Sequence, residues 1–300
     1  MYRDDEKNRI VNIREELFND PGYGIYWGKK RAFVLENPKL NIWNKIRDDA
    51  IKYFKDNKIQ WHKGKESLPT GHLLSSQVAC INHLYFLRNK KNLVSLILKN
   101  IDSSIVSAEE IDSESSYAEF EFIGKTGLPE KYHKRGANCT SVDACMIGKN
   151  KAGEKILFFI EWKYTEFYGY KSKQCKARED VYNNLITNNV SPFKDIRVDI
   201  YYYEPFYQLM RQALLAEQCI KNREYGCTDY RIVHVIPTEN VKLLNTVTSK
   251  KMTGSTISEA WKNILKRENT YISLSPKEFI SPIRKEEEAF QFIDYLNKRY

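Results

Sequence analysis

An α/β fold is the class this sequence predicts, and three observations predict it: one strand apolar on both faces, alternating segments ahead of it, and helix-spaced apolar patterns on either side. The first is ILFFIEWKYTE, residues 156 to 166. Side chains alternate across a strand, so Leu157, Phe159, Glu161, Lys163 and Thr165 share one face and Ile156, Phe158, Ile160, Trp162 and Tyr164 the other. Both faces begin apolar, the mark of a strand covered on both sides. One face then turns to a carboxylate and an amine, and that turn needs a chemical reason.

The flanking elements follow in order. Residues 5–19 and 42–56 carry helical spacing, separated by PGYGIYWGKKRAF, whose glycines, proline and cations read as a loop. A helix is expected over 72–87, with Leu74, Val78, Ile81 and Tyr85 on one side. Its other side carries Ser75, Gln77, Asn82 and His83, which suits a face turned toward a site as well as a solvated surface. A short helix near 91–99 leads to SSYAEFEFIG, a half-buried strand over 117–123 with Glu119 and Glu121 on one side and Phe120 and Phe122 on the other. KTGLPEKYHKRG reads as a basic loop, and NCTSVDACMIG as a strand over 139–147 with Asp143 in mid-face. GKNKAGEK connects it to the strand over 155–164.

Downstream, KQCKAREDVYNNLI is a helix, DIRVDIYYYEPF is extended, and Phe206 to about Lys221 is a strong helix burying Phe206, Leu209, Met210, Ala213, Leu214 and Ile220. Gln208, Arg211 and Gln212 gather on its polar side. DYRIVHVIP is a buried strand over 229–236, and helices near 256–266 and 285–298 bracket the extended TYISLSP. Three segments of one compact domain are expected: an N-terminal helical extension packed on the core (1–71), the core (72–240) and a C-terminal helical and extended addition (241–300).

Composition sets bounds on the function class. With 42% hydrophobic and 29% charged residues the chain is neither fibrous nor disordered, and a formal net charge of +9 favours a polyanionic partner. The start, MYRDDEKNRI, has no signal-like apolar segment and no run reaches membrane-spanning length, so a cytoplasmic protein with no membrane partner is expected. Six cysteines lack a CxxC pair. A zinc site from Cys219, Cys227 and His234 lacks the paired spacing of structural zinc motifs, and buried thiols are the simpler reading.

Hairpin symmetry places the chemistry. Aligning the two strands about the middle of their connection sets Ile147 opposite Leu157, Cys145 opposite Phe159 and Asp143 opposite Glu161. Directly opposed residues have Cβ atoms roughly 4.5–5.5 Å apart. Like charges so close disfavour each other's ionisation, and a divalent cation between them removes the penalty.

The αβββαβ order together with Asp143 and the Glu161-Trp162-Lys163 triplet resembles the PD-(D/E)XK nuclease superfamily, the restriction-endonuclease-like fold. SSQVACINHL, TSVDA, IEWKYTE and EPFYQLMRQALLAEQ look like a bacterial branch of it, and the resemblance covers roughly residues 72–236. Ser141 and Val142 stand before Asp143 where the superfamily often has proline, which leaves the ligand residues intact. The resemblance implies a central mixed sheet flanked by helices, with N- and C-terminal helical additions. It implies a Mg²⁺-dependent nuclease, with Mn²⁺ as substitute, hydrolysing DNA phosphodiester bonds.

In that reading Asp143 and Glu161, with the Trp162 backbone carbonyl, hold the metal, and Lys163 orients or deprotonates the attacking water. Glu121 is a further candidate ligand, and Gln208 a polar helix residue near the site. Lys171, Lys173, Lys134, Arg135 and Arg211, with Tyr164, Phe167, Tyr168 and Tyr170 nearby, are candidate nucleic-acid contacts. The expected partners are DNA and a second copy in a homodimer. The alternative is a catalytically silent nuclease-fold module binding nucleic acid or a protein.

Overall fold

The central sheet is assembled around the strand anticipated at 155–164, and the hairpin symmetry sets its register. The computed structural model of the protein describes residues 1–112, 115–135 and 139–300; Gly136 and Asn138, at the junction of the expected basic loop and the next strand, lie outside them. In chain order come helix α1 (Tyr2–Phe18), strands β1 (Ile25–Tyr26) and β2 (Lys29–Lys30), and helices α2 (Arg47–Asp56), α3 (Ser76–Leu84) and α4 (Lys91–Ile101). Strands β3 (Ile105–Glu109), β4 (Glu119–Phe122), β5 (Val142–Asn150) and β6 (Lys155–Trp162) follow. Then come α5 (Lys176–Thr187), α6 (Phe206–Lys221), β7 (Cys227–Val235), α7 (Val241–Leu244), α8 (Ile257–Ile264), β8 (Tyr271–Leu274), α9 (Pro276–Ile280) and α10 (Phe290–Arg299).

The main sheet has six strands in the order β3-β5-β6-β7-β8, and β4 also pairs with β5. β3 and β4 share one edge of β5: β3 pairs with its second half, Ile147 to Asn150, and β4 with its first, Val142 to Cys145. The β3–β5, β4–β5 and β5–β6 pairs are antiparallel, whereas β6–β7 and β7–β8 are parallel, so the sheet is mixed. Ile147 faces Leu157 and Cys145 faces Phe159, as the symmetry requires, and the ladder ends at Ala144 opposite Ile160. The next step of that register sets Asp143 level with Glu161.

Both faces of the sheet are covered, which is why β6 is apolar on both. Ile156, Phe158, Ile160, Trp162 and Tyr164 enter a cluster that takes in residues of α1, α2, α3, α4, α9 and α10, from Ile10 to Leu296. Leu157 and Phe159 enter a second cluster with α5, α6 and α8. Helix α6 buries Phe206, Leu209, Met210, Ala213 and Leu214 there. The Ser75 hydroxyl caps α3 by accepting from Val78 N (3.4 Å), and Ser275 and Glu278 form a reciprocal capping box on α9.

Several expectations are corrected. Phe120 and Phe122 do not share a face: Phe120 joins the first cluster and Phe122 the second, and all four β4 residues are buried. The cause is Glu121, whose φ of 47° breaks the alternation. The stretch expected to be extended before Pro205 contains a 3₁₀ turn, Val198–Tyr201. PGYGIYWGKKRAF holds the small β1–β2 hairpin, and β3, absent from the sequence reading, closes the sheet edge. Cys227 and His234 stand at opposite ends of β7, about 20 Å apart at strand rise, which rules out their sharing a zinc ion with Cys219.

Buried polar links hold the termini to the middle of the chain. Asn82 of α3 accepts from Trp43 N (2.9 Å) and donates to Asn41 O (3.0 Å) and to the Tyr300 hydroxyl (2.9 Å). Arg299, fully buried, donates to Leu73 O (2.7 Å) and Asn41 Oδ1 (3.2 Å). Leaving such groups unpaired costs about 1–3 kcal/mol each. Asn82→Ala is therefore expected to lower stability by about 2–3 kcal/mol, read as a lower urea midpoint with unchanged slope; an unmoved midpoint contradicts the role given to this network.

Candidate active site

Three carboxylates stand on adjacent strands where β4, β5 and β6 come level. The pairs Phe120–Ala144 and Phe122–Val142 bracket Glu121 beside Asp143, and the β5–β6 register carries Asp143 toward Glu161. Instead of continuing the backbone ladder, Trp162 N–H donates to Asp143 Oδ2 (2.7 Å). The aspartate thus replaces a backbone acceptor where the two strands part, and it ties down the middle residue of the Glu-Trp-Lys triplet. Trp162 itself is packed against His83 (4.4 Å between ring centroids) and Phe279 (5.9 Å), which holds that backbone in place.

Glu161 and Lys163 are each 4% exposed and form a buried ion pair, Lys163 Nζ to Glu161 Oε1 at 2.5 Å. Lys163 also donates to Gln208 Oε1 (2.6 Å), which in turn accepts from the Tyr168 hydroxyl (3.3 Å). One turn further along α6, the Gln212 amide donates to Glu161 Oε2. The two glutamines stand at i and i+4, so one face of α6 grips both members of the pair. Lys163 N–H donates to Val235 O (2.8 Å), anchoring the lysine's backbone to β7.

Glu121 is held from the opposite side. Gln77 of α3 donates to Glu121 Oε1 (2.6 Å) and the Ser141 hydroxyl to Oε2 (2.9 Å). A glutamate at positive φ is uncommon outside special sites. Here the left-handed residue accompanies the turn of a β4 carboxylate into the cluster.

The charges do not balance. Burial, then the negative charges of Glu161 and Glu121, push the Asp143 carboxyl well above its ordinary range, against the opposing pull of Lys163 and the Trp162 N–H. Burial and Glu161 likewise raise Glu121, against Gln77 and Ser141. Burial alone drives Lys163 toward loss of its proton, but Glu161, Tyr168, Glu166 and Asp143 outweigh it and hold the ammonium well above the usual lysine value. Oxygen acceptors are also in surplus: Gln212 Oε1 and Glu204 Oε2 are buried without a hydrogen-bond partner. Glu204, just before α6, is raised by burial, with Lys163, Lys173 and Arg211 opposing.

The structure therefore brings together Asp143, Glu161, Lys163, Glu121 and Gln208, and adds Gln212, Gln77 and Ser141, which the sequence reading had not assigned to the site. The i, i+4 relation of Gln212 to Gln208 was the available signal. Among the candidate nucleic-acid contacts, Lys134, Lys171 and Lys173 are exposed. Arg135 instead pairs with buried Glu119 and lies 3.4 Å from the Tyr53 hydroxyl, and Arg211 donates to Thr140 Oγ1 (3.0 Å) and Cys139 O (3.3 Å). These two arginines brace the segment that leads into β5. On α3, Asn82 is committed to the core and His83 to Trp162, leaving Gln77 as the residue of that face that reaches the site.

The family model for restriction endonucleases associating with ARP (REase-ARP) matches residues 16–300. The chain belongs to this family. No curated protein and no solved structure matches it. The REase-ARP match reaches from α1 to the last residue, so the site at the β4–β5–β6 end lies well inside it. No helix among the described residues is long and apolar enough to cross a membrane.

The raised carboxylates carry a sign that can be tested. A carboxylate whose pKa is higher folded than unfolded binds more protons in the folded state, so it costs stability above the unfolded value and the cost vanishes below it. Asp143→Asn, which keeps an oxygen for Trp162 N–H, is expected to melt higher than the parent at pH 7 without divalent ions. The gap is expected to close as pH falls toward about 4, the ordinary aspartate value. A variant that melts no higher at pH 7 contradicts the charge imbalance.

Proposed function

We propose that this REase-ARP protein is a Mg²⁺-dependent nuclease that hydrolyses DNA phosphodiester bonds at the Asp143, Glu161 and Lys163 site. The observation that carries the reading is the uncompensated negative cluster: Asp143 and Glu121 are pushed upward although a lysine is present, and further buried oxygens lack donors. Clusters of this kind call for a cation. Among the described residues no three His, Cys, Asp or Glu side chains are gathered to hold a metal by themselves. The set that fits is Asp143 and Glu161 with the Trp162 carbonyl, a hard-oxygen set completed by water and phosphate oxygens, which is how Mg²⁺ is usually held. When bound, the ion supplies Lewis-acid polarisation of the phosphoryl group and lowers the pKa of coordinated water.

The chain's own residues set the rest. Lys163 stays an ammonium beside Glu161, so it orients water or stabilises a phosphate oxygen by donating rather than acting as a free base. Gln208 fixes the lysine and Gln212 fixes the glutamate, so the pair is held in place before substrate arrives. Trp162 holds Asp143 in orientation through its N–H. Glu121, with both oxygens already engaged by Gln77 and Ser141, adds negative charge next to Asp143. The exposed Lys134, Lys171 and Lys173 supply phosphate contacts, and aromatic side chains interleave with cations beyond the motif: Lys242 lies over Phe167 (4.0 Å) and Lys250 over Tyr170 (5.5 Å).

Purified protein is expected to cut plasmid or linear DNA with Mg²⁺ or Mn²⁺ and not with a chelator. Asp143→Ala and Lys163→Ala are each expected to lower the rate by about 100-fold or more, while the DNA-binding salt slope changes little. Cleavage that survives either substitution would falsify the assignment. Salt-sensitive DNA binding without cleavage under any divalent ion is the outcome belonging to the silent binding module.

A further inference from the structure

The β1–β2 hairpin has a composition the fold does not explain. Residues 23–31, YGIYWGKKR, hold three cations and no carboxylate, and residues 58–65, KIQWHKGK, hold three more and again none. Two residues of each strand pair, Ile25 with Lys30 and Tyr26 with Lys29, leaving Trp27 and Gly28 as a two-residue turn. Both turn residues have positive φ, 54° and 71°. Such a turn favours Asn-Gly; a tryptophan at its first position is conformationally costly. Packing does not offset that cost, because Trp27 is 78% exposed, whereas the other four tryptophans, Trp43, Trp61, Trp162 and Trp261, are at most 8% exposed.

The foot of the hairpin is rigid. Gly24 N donates to Val34 O (2.9 Å), Leu73 N to Phe33 O (3.0 Å) and Leu35 N to Gly71 O (2.9 Å), which clamps it onto the segment leading into α3. A side chain at Gly24 would meet Leu35 O at 2.3 Å, so the close approach demands glycine. Tyr26 lies edge-on to His72 at 4.8 Å between ring centroids.

Short contacts connect this foot to the carboxylates. Lys63 Nζ donates to the Tyr26 hydroxyl (2.8 Å) and lies 5.9 Å from the Trp27 ring centroid. The neighbouring His62 N–H donates to Gln77 Oε1 (2.8 Å), and Gln77 donates to Glu121. A cavity of about 300 Å³, with Arg3, Asp4, Lys7, Phe33, His72 and Phe167 among its walls, opens between the hairpin foot and the segment just past Lys163.

We propose that this hairpin is a DNA-contacting finger, on which Trp27 stacks against an unpaired base of single-stranded DNA while Lys29, Lys30 and Lys63 take the flanking phosphates. The inference rests on the nucleic-acid half of the proposed function and not on turnover. An indole flanked by cations is a sequence-tolerant platform for a base, and single strands present bases already unstacked. Its position delivers the strand toward Gln77 and Glu121.

The test is a binding measurement on the full chain in chelator, with oligo-dT as probe. Trp27 is the tryptophan open to acrylamide, so its fluorescence reports the contact. Oligo-dT is expected to quench and shield it. Trp27→Ala is expected to remove that signal and weaken binding about tenfold, Trp27→Tyr to keep most of the affinity, and Lys29→Ala with Lys30→Ala to flatten the salt slope by about 0.7 per lysine. Exposed side chains are being changed, so each variant should keep the parent melting temperature. The proposal is overturned if oligo-dT does not bind, if it binds with Trp27 still open to acrylamide and Trp27→Ala just as tight, or if only blunt duplex DNA, RNA or anionic vesicles shield Trp27. A failure of cleavage with Trp27 shielding intact instead counts against the nuclease assignment alone.

Discussion

The buried pair of Glu161 and Lys163 is the interaction on which the rest of this end of the molecule depends. Taking a carboxylate and an ammonium out of water costs several kcal/mol per ion, and their attraction repays this only when the remaining lone pairs and protons are also satisfied. Gln208 and Gln212 satisfy them from one face of α6, which explains why a helix that is otherwise core turns amides toward the sheet. The lysine does not neutralise the whole cluster. With Asp143 and Glu121 on the neighbouring strands, three carboxylates share one ammonium, and two of them are held upward. A site arranged this way favours added positive charge.

Support for that cluster comes from both sheet faces. Asp143 and Trp162 are joined where β5 and β6 separate, Trp162 is wedged between His83 and Phe279, and Gln77 holds Glu121 from α3. The first hydrophobic cluster runs from Ile10 in α1 to Leu296 in α10, so both ends of the chain contribute to the layer beneath the site. Tyr164, directly after the motif, donates its hydroxyl to Glu6 of α1, and Asn240 donates to Tyr164 O (3.2 Å) and Glu166 O (2.8 Å), fixing the turn that follows. Core stability and the orientation of the charged residues are thereby properties of the same contacts.

Cations divide into two kinds around this centre. Arg135 and Arg211 are spent inside the protein, bracing the approach to β5 against Glu119, Thr140 and Cys139. The lysines of the hairpin, of residues 58–65 and of the segment after the motif stand at the surface, where Lys63 lies over the Tyr26 and Trp27 rings, and Lys242 and Lys250 lie over Phe167 and Tyr170. Arginine's planar fork suits the first task, and the compact, strongly hydrated lysine ammonium suits a place at the solvent-facing surface.

By itself the sequence determined the order of the core helices and of strands β4 to β7 and the register of β5 against β6, because these rest on period-2 and helical alternation and on the symmetry of a local hairpin. Strand β3 was not legible, since a short segment of mixed polarity becomes a strand only when the free edge of β5 is there to pair with it. The opposite facing of Phe120 and Phe122 was hidden for a related reason: alternation assumes a regular strand, and Glu121 leaves it at positive φ. Gln212 read as helix surface because burial of a polar side chain depends on what is brought over it, here Glu161 from a strand fifty residues earlier. Arg135 and Arg211 looked like phosphate ligands for the same reason, as charge is visible in a sequence but its partner is not. Tertiary structure alone decided the balance of charge at the β4–β5–β6 end, which arises from side chains on three strands and two helices meeting within hydrogen-bonding reach.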